Sequence, residues 1–536
     1  MRISTSQIFD AGALGIQNGQ SSLYKQQNQM STGRRVLTPQ DDPVAAAQAL
    51  VVTQTQGVNA QYIQNQGQAT SQLGMVDSQL TSLVDLLQNV RERVVQAGNT
   101  TLAQSDRAAI ATELDSRLSE MLGIANSDNG VGEYLFSGYR GNVLPFAVDT
   151  TLGVSPPAAS ASIGYFGDEG ERLLQVSSSR QMAISVAGSD LFMTAKKGNG
   201  TFVPANGGNV GAAITVKDPL STVATDSGTV VDRQQWAAAL ANPLAGQPLQ
   251  IIFADPTHYG IYDPVSTLTT GPLLYTSGAA IPLITGSTPA VDFSAQVVVT
   301  GVPVAGDTIT ISPSSNHGTA TVDAGSVLDY QKWAAAVNDT NAGLPVEIRF
   351  SLDFSSVPTG VLSYGIYDPV GGLTALKPYT SGQEIQLVTN NGVDFGSQLM
   401  VSGQPAVGDT FTVTPSTNQS LFQTMQNLVG ILRNPVGAGY TSTQFANDLG
   451  AELTNINQAF DNVARVQAIV GTRMQEIDSL GNSASDLDVQ YQATLSSLQD
   501  LDYAKAISDF MSQKMNLEAA QQSFAKISSL SLFNYL

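Results

Sequence analysis

The sequence has no cysteine, only two histidines and only two tryptophans, and charged residues make up 13% of it. Without cysteine the chain can form neither disulfides nor thiolate metal sites. Two histidines without further ligands at a defined spacing do not predict a zinc site. Because the charged share is well below the usual value of about a quarter, the polar surface must consist mainly of Gln, Asn, Ser and Thr.

Positive charge is scarce in particular, with 24 Lys and Arg against 44 Asp and Glu and a formal net charge of −20. The sequence therefore lacks the basic footprint of a nucleic-acid-binding protein, and an anionic membrane surface would repel it. No run approaches the roughly 18 apolar residues of a membrane span. Residues 1–6 do not open a Sec-type signal peptide. We expect no membrane insertion and either an intracellular protein or one exported by another route.

The chain is long, at 536 residues with 42% hydrophobic residues, and should form several domains with real cores. It divides into a helical part, a β-rich part and a second helical part. The predicted fold class is α+β and multidomain. Long N- and C-terminal helices would form a coiled-coil or helical-bundle core, and the β-rich domains would be inserted between them.

The N-terminal segment has large apolar residues at every seventh position. Residues seven apart lie on one side of a helix and make a narrow seam that suits a partner helix. Three glycines in the same segment lower its helix stability by about 1 kcal/mol each relative to Ala, so we expect it to be marginal alone. The seam consists of Phe9, Ile16, Leu23 and Met30, and the glycines are Gly12, Gly15 and Gly19.

The C-terminal segment repeats this pattern. A loop is expected near residues 481–483. The last helix, which follows it, has a seam of large residues with the same period of seven. Ile527 lies on the same helix at a position that neighbours the seam. The economical interpretation is that the two ends pair with each other, with other subunits, or with both. The alternative is two amphipathic helices packed on an ordinary core. The C-terminal seam consists of Tyr503, Phe510, Leu517 and Phe524.

The remaining helices are predicted from their start signals and stripes. A turn at residues 38–43 places Asp42 as the cap of a helix that begins near Pro43. That helix should run to about Ala97, and another should cover roughly residues 105–125. In the C-terminal part, a heptad pattern over residues 453–477 predicts a further long helix.

The β-rich part contains an internal duplication. The sequence WAAA at residues 236–239 returns at 333–336, and YGIYDPV at 259–265 returns at 364–370. A repeat period of about 100 residues indicates two copies of one folded module. The only two tryptophans, Trp236 and Trp333, occupy equivalent positions.

These patterns predict the following organisation. Residues 1–40 with 490–536 would form a terminal coiled-coil assembly region, and residues 41–145 with 418–489 a helical rod domain. The first part of the β-rich insertion would cover residues 146–220. The two repeats would cover residues 221–317 and 318–417.

No residue pattern predicts an active site. His258 and His317 lie beside turn residues. Four acidic residues of the repeats sit where Asp commonly shapes a turn, and no phosphate loop, dinucleotide fingerprint or nucleophile elbow is present. We therefore predict no catalytic residue, no cofactor and no metal, and a protein that is not an enzyme. The four acidic residues are Asp263, Asp368, Asp307 and Asp409.

Trp236, Trp333 and the nearby tyrosines could form a sugar-binding platform, but we favour core packing.

The two ends of the chain resemble the flagellin superfamily, and they are closer to the FlgL type, the third hook-associated protein, than to flagellin. The similar segments are MRIST at residues 1–5, QMSTGRRV at 29–36, DDPVAAA at 41–47, YLFSG at 134–138, GQP at 403–405 with GDTFTV at 408–413, and SLFNYL at 531–536.

This resemblance implies a structural subunit at the hook–filament junction of the bacterial flagellum, between the first hook-associated protein and flagellin. It also implies export by the flagellar type III system without a cleaved signal peptide, and a chaperone at the C-terminal helix. The duplicated module departs from the single copy expected in this family. The alternatives are a filament flagellin and a secreted glycan-binding adhesin.

Overall fold

The structure is a computed structural model of the full chain. It describes residues 5–99, 101–148, 162–207, 209–215, 221–225, 229–230, 233–240, 242, 244, 248–265, 270–286, 289–314, 316, 318–353, 360–437 and 440–533.

Helices occupy both ends of the chain, and most of the short ones lie in the β-rich part. Among the described residues they are α1 Thr5–Thr32, α2 Pro43–Ala97, α3 Gln104–Ala125, α4 Gly188–Phe192, α5 Arg233–Leu240, α6 Tyr330–Val337, α7 Leu421–Arg433, α8 Ser442–Gln499 and α9 Tyr503–Phe533. The long helix predicted to reach Ala97 does so. The predicted α+β class, with helical ends around a β-rich middle, is confirmed.

The prediction of a loop near residues 481–483 is wrong, because α8 continues to Gln499 and the chain turns at residues 500–502. Packing outweighs the low helix propensity of this stretch. Asn59 Nδ2 of α2 donates a hydrogen bond of 2.7 Å to the carbonyl oxygen of buried Ala484.

The start of α2 is capped as predicted. The Asp42 carboxylate accepts a hydrogen bond of 3.0 Å from the Ala45 backbone N–H. This contact satisfies one of the donors that the first turn of a helix leaves free.

The chain forms two compact units. The first contains Met1–Gly74, Arg172–Ile184 and Val470–Leu536, and the second contains Met75–Glu171 and Ser185–Ile469. These units divide the chain differently from the five predicted domain ranges, which stay a prediction.

The first unit is a set of long helices with few fully buried residues. Buried side-chain amides stabilise this unit in addition to apolar contacts. The amide Nε2 of Gln66 on α2 donates a hydrogen bond of 2.8 Å to the Val176 carbonyl oxygen. Val176 belongs to a β-hairpin made of Leu173–Ser177 and Arg180–Ala183.

In the second unit, one face of α2 is buried, with Leu80, Leu83 and Val90 fully inaccessible to solvent. These residues and their neighbours on α3, α7 and α8 form its helical core.

The strands within the described ranges are β1 Phe146–Val148, β2 Ile163–Tyr165, β3 Leu173–Ser177, β4 Arg180–Ala183, β5 Ala195–Lys196, β6 Phe202–Asn206, β7 Asn209–Thr215, β8 Ala224–Thr225, β9 Thr229–Val230, β10 Leu249–Asp255, β11 His258–Tyr262, β12 Leu273–Leu274, β13 Ala280–Ile284, β14 Asp292–Thr300, β15 Thr308–Ser314, β16 Thr321–Val322, β17 Ser326–Val327, β18 Val346–Asp353, β19 Val361–Asp368, β20 Gly372–Leu373, β21 Lys377–Pro378, β22 Gln383–Val388, β23 Asp394–Ser402, β24 Thr410–Pro415 and β25 Asn418–Gln419.

The two β modules are built alike. In the first, the sheet β12-β11-β10-β15-β7 and the sheet β13-β14-β8 with β9 enclose one apolar core. In the second, the sheet β20-β19-β18-β24-β6 with β21 and the sheet β16-β23-β17 with β22 enclose another. A short helix packs on the second sheet of each module, α5 on β14 and α6 on β23.

The two modules are nested in the chain. β6 pairs with β24 of the second module, whereas β7, which follows directly, pairs with β15 of the first. The first strand of the second module therefore precedes the whole first module. The repeat boundary predicted at residue 318 leaves this strand out, because residues 202–206 have no recognisable sequence match in the first copy.

Candidate assembly interface

The two predicted seams meet each other, because α1 and α9 pack side by side in the first unit. The helices are antiparallel: Gly12 lies opposite Phe524, Gly19 opposite Leu517 and Gly33 opposite Tyr503. The matching periods of seven residues keep the two seams in register along the pair.

Glycines on α1 make room for the large side chains of α9. A Cβ atom at Gly12 would lie 2.8 Å from Cδ2 of Phe524, and one at Gly19 would lie 3.1 Å from Cδ1 of Leu517. From the sequence alone, these glycines predict only a less stable helix. The signal that could have revealed their role is the spacing of seven residues between Gly12 and Gly19, which equals that between Leu517 and Phe524.

Backbone contacts close the pair at its other end. The Arg35 N–H donates a hydrogen bond of 2.7 Å to the Gln499 carbonyl oxygen, and the Leu501 N–H donates one of 2.9 Å to the Gly33 carbonyl oxygen. The Tyr503 hydroxyl donates 3.1 Å to the Met30 carbonyl oxygen. These bonds fix where α9 begins relative to the end of α1.

Pairing buries the seams only in part. Six of the eight seam residues are half-buried, and Tyr503 is exposed; the six are Ile16, Leu23, Met30, Phe510, Leu517 and Phe524. Phe9 lies in α1 and Ile527 in α9, but their side chains are outside the described residues. The role of these nine residues in assembly stays a prediction.

Large apolar side chains remain exposed beside the seam. Leu14 and Tyr24 on α1 are 58% and 68% exposed, and Met511 and Met515 on α9 are 58% and 67% exposed. A two-helix pair with so much uncovered apolar surface is typical of a protein that buries it against other subunits.

The turn between α1 and α2 is held by two carboxylates. Lys25 Nζ lies 2.6 Å from Asp41, whose carboxylate also accepts the Leu37 and Thr38 N–H groups. The hydrogen bond from Lys25 is the main reason that the pKa of Asp41 is lowered to about 2. The Ala45 N–H, followed by the Arg35 guanidinium, lowers the pKa of Asp42.

The acidic residues of the repeats shape turns, as predicted. Asp368 accepts hydrogen bonds from the N–H groups of Val370, Gly371 and Gly343 at 2.8–3.0 Å. Asp263 accepts the Val265 N–H at 2.9 Å. Asp307 and Asp409 are fully buried and accept the backbone N–H three residues before them.

His258 lies 3.0 Å from the Asp255 carboxylate, which belongs to the same turn. His317 lies outside the described residues. In the part of the chain that the structure describes, no group of three or more His, Asp or Glu side chains could hold a metal ion. The described helices also include none that is long and apolar enough to cross a membrane.

The two tryptophans belong to the module cores, as favoured over a sugar platform. Trp236 is 4% and Trp333 7% exposed. Trp333 stacks on Phe202 with 5.1 Å between ring centroids. Neither ring offers an open face to a sugar.

Two family models match the ends of the chain. Residues 3–140 match the bacterial flagellin N-terminal helical region, and residues 453–536 match the bacterial flagellin C-terminal helical region. The resemblance stated from the sequence is thereby confirmed at both ends.

Similar curated proteins include two called flagellar hook-associated protein 3. The one from Salmonella typhimurium strain LT2 is 38% identical over 192 residues, which is 36% of this chain and 57% of that protein. The one from Escherichia coli K12 is 35% identical over the same length. The chain thus spans little more than half of these relatives. A flagellin from Salmonella choleraesuis strain SC-B67 is 23% identical over 97% of this chain and 95% of that protein.

A solved structure of the flagellar junction protein FlgL from Legionella pneumophila shares the fold. It matches 84% of this chain and 100% of that chain, with a TM-score of 0.55 and 21% identity.

Proposed function

We propose that this chain, whose two ends match the N- and C-terminal helical regions of bacterial flagellin, is a structural subunit of the bacterial flagellum at the hook–filament junction. There it would adapt the hook, through the first hook-associated protein, to the flagellin filament. The observation that carries the proposal is the α1–α9 pair. It lies in the part of the chain that matches the family, and it leaves apolar side chains uncovered for other subunits.

The partners in this proposal are the first hook-associated protein, flagellin and other copies of this chain. The chain would reach the cell exterior through the flagellar type III system, and an export chaperone would bind α9. The absence of cysteine suits a chain that travels unfolded through a narrow channel, since no disulfide can form on the way.

A strain in which the gene is deleted tests the proposal. We expect hooks without filaments under the electron microscope and flagellin monomers in the medium, with both defects reversed by the intact gene. Normal filaments on the deletion strain would rule out the junction role.

A filament flagellin is the second candidate, because the match to a flagellin extends over nearly the whole chain. It predicts that the purified chain polymerises alone into long filaments. A chain that stays short or monomeric under conditions that polymerise flagellin supports the junction role instead.

A further inference from the structure

The first half of α2 carries a second apolar stripe, separate from the α1–α9 seam. Val44, Val51 and Val58 recur every seven residues, as in a coiled-coil seam. Their side chains are 65%, 62% and 43% exposed. The stripe has the seven-residue period that suits packing against a partner helix, but its side chains are open to solvent.

This stripe is not the face by which α2 packs within its own unit. That face contains the buried residues Ala45, Ala49, Asn59 and Gln66. Adjacent helical residues such as Val44 and Ala45 point about 100° apart. The helix therefore has one face turned to its own chain and a second apolar face beside it.

The stripe leads into a cavity of about 380 Å³ in the same unit. Val58 and Tyr62 of α2 line it together with Leu480, Leu487 and Tyr491 of α8. Leu487 is 42% exposed at its rim. The cavity could receive an apolar side chain from a helix that lies along the stripe.

The charge pattern indicates which partner this surface suits. Residues 43–74 contain no Asp, Glu, Lys, Arg or His, although the chain as a whole has a net charge of −20. Two copies of such an acidic chain repel each other except where their contact faces are neutral. A basic partner would find no carboxylate on α2 along this stripe.

From the spacing, the exposure and the neutrality of the stripe, we propose that Val44, Val51 and Val58 dock a helix of a second copy of this chain, with one apolar side chain entering the adjoining cavity. The inference rests on the proposed function and adds a contact between copies that does not involve α1 or α9.

A photo-cross-linking amino acid at position 51 tests this contact directly. It is introduced into the full chain in the deletion strain, and hooks with their attached filaments are illuminated. We expect a product of twice the chain mass of 56.1 kDa. The same cross-linker at Gln64, an exposed residue on the opposite side of α2, should give much less. No product at position 51, or only an adduct with another flagellar protein, would overturn the inference.

Charge substitutions separate this inference from the proposed function. In the deletion strain, Val51→Asp should restore at least tenfold fewer filaments than the unchanged chain, while Gln64→Asp should restore normal numbers. Full rescue by Val51→Asp would refute the contact but leave the junction role intact. A deletion strain with normal filaments would refute the junction role itself.

Discussion

Ser294 of β14 and Gly396 of β23 occupy equivalent positions of the two modules and share one backbone conformation, although the residue types differ. Their φ angles are 47° and 58°, in the left-handed region that favours glycine. At both positions the side chain of an Asp two residues earlier accepts a hydrogen bond from the backbone N–H, at 2.7 Å from Ser294 and 2.8 Å from Gly396. The first module therefore has a serine in a left-handed backbone conformation, whereas the second module has a glycine at the equivalent position.

We predict that Ser294→Gly stabilises the first module by up to about 1 kcal/mol, because a non-glycine residue in this region costs roughly 1–2 kcal/mol. The reverse change, Gly396→Ser, should destabilise the second module by more. A Cβ there would lie 2.7 Å from the Asp329 carbonyl oxygen. Urea unfolding followed by tryptophan fluorescence measures both, since each module core contains one tryptophan. If Gly396→Ser lowered the free energy of unfolding by no more than Ser294→Gly raises it, this account would be contradicted.

At the scale of elements, α1 and α9 depend on the fit between small and large residues. Gly19 faces Leu517, whereas a Cβ at Gly15 on the same helix would have no atom of the described residues within 4 Å. These two glycines therefore separate a packing effect from a propensity effect.

Gly19→Leu should detach α9 from α1, although leucine raises the helix propensity of α1 by roughly 1 kcal/mol. Amide hydrogen exchange in residues 503–526 of the isolated chain should become several-fold faster. Gly15→Leu brings the same gain in propensity without the clash and should leave exchange in α9 unchanged or slower. Similar rates in both variants would show that Gly19 does not determine the pairing.

A half-buried carboxylate joins α7 to α8 in the second unit. Glu452 accepts hydrogen bonds of 2.7 Å from Asn427 and 3.0 Å from Asn455. Burial nevertheless raises its pKa above the ordinary value of 4.5, since desolvation outweighs these bonds. Asp448 nearby also has a raised pKa because of burial.

The raised pKa of Glu452 gives a definite pH dependence. Below pH 4.5 this carboxyl is protonated in both the folded and the unfolded chain and carries no penalty. As the pH rises through its folded-state pKa, the unfolded chain ionises more readily, and folding stability falls. Glu452→Gln removes this term, so its melting temperature relative to the parent should rise between pH 4.5 and 8. A difference that is constant with pH would contradict the assignment.

For the whole molecule, sequence reasoning succeeded where the chain has strong local periodicity. The seven-residue seams predicted helices at both ends, and the repeated motifs predicted a duplicated module. It failed at residues 481–483, which lie inside α8, next to the point where Asn59 of α2 donates a hydrogen bond to the Ala484 carbonyl oxygen. The sequence does not predict that β6 belongs to the second module, because five residues are too few to indicate which distant strand they pair with.

The same limit applies to the interface. Periodicity identified the seam residues, but not which other face of the helices would remain uncovered. The exposed stripe on α2 emerged only from the packing of Asn59 and Gln66, which shows which side of that helix its own chain occupies.

The most direct measurement of the central claim is the number of cell-attached filaments, counted by electron microscopy in the deletion strain carrying Leu517→Asp. A charge in the half-buried seam should prevent assembly, so we predict an exported chain, few or no filaments, and folded β modules. Ser512→Asp, an exposed position on the opposite side of α9, serves as the control and should restore normal numbers. Normal filaments with Leu517→Asp would contradict the claim that this seam builds the junction.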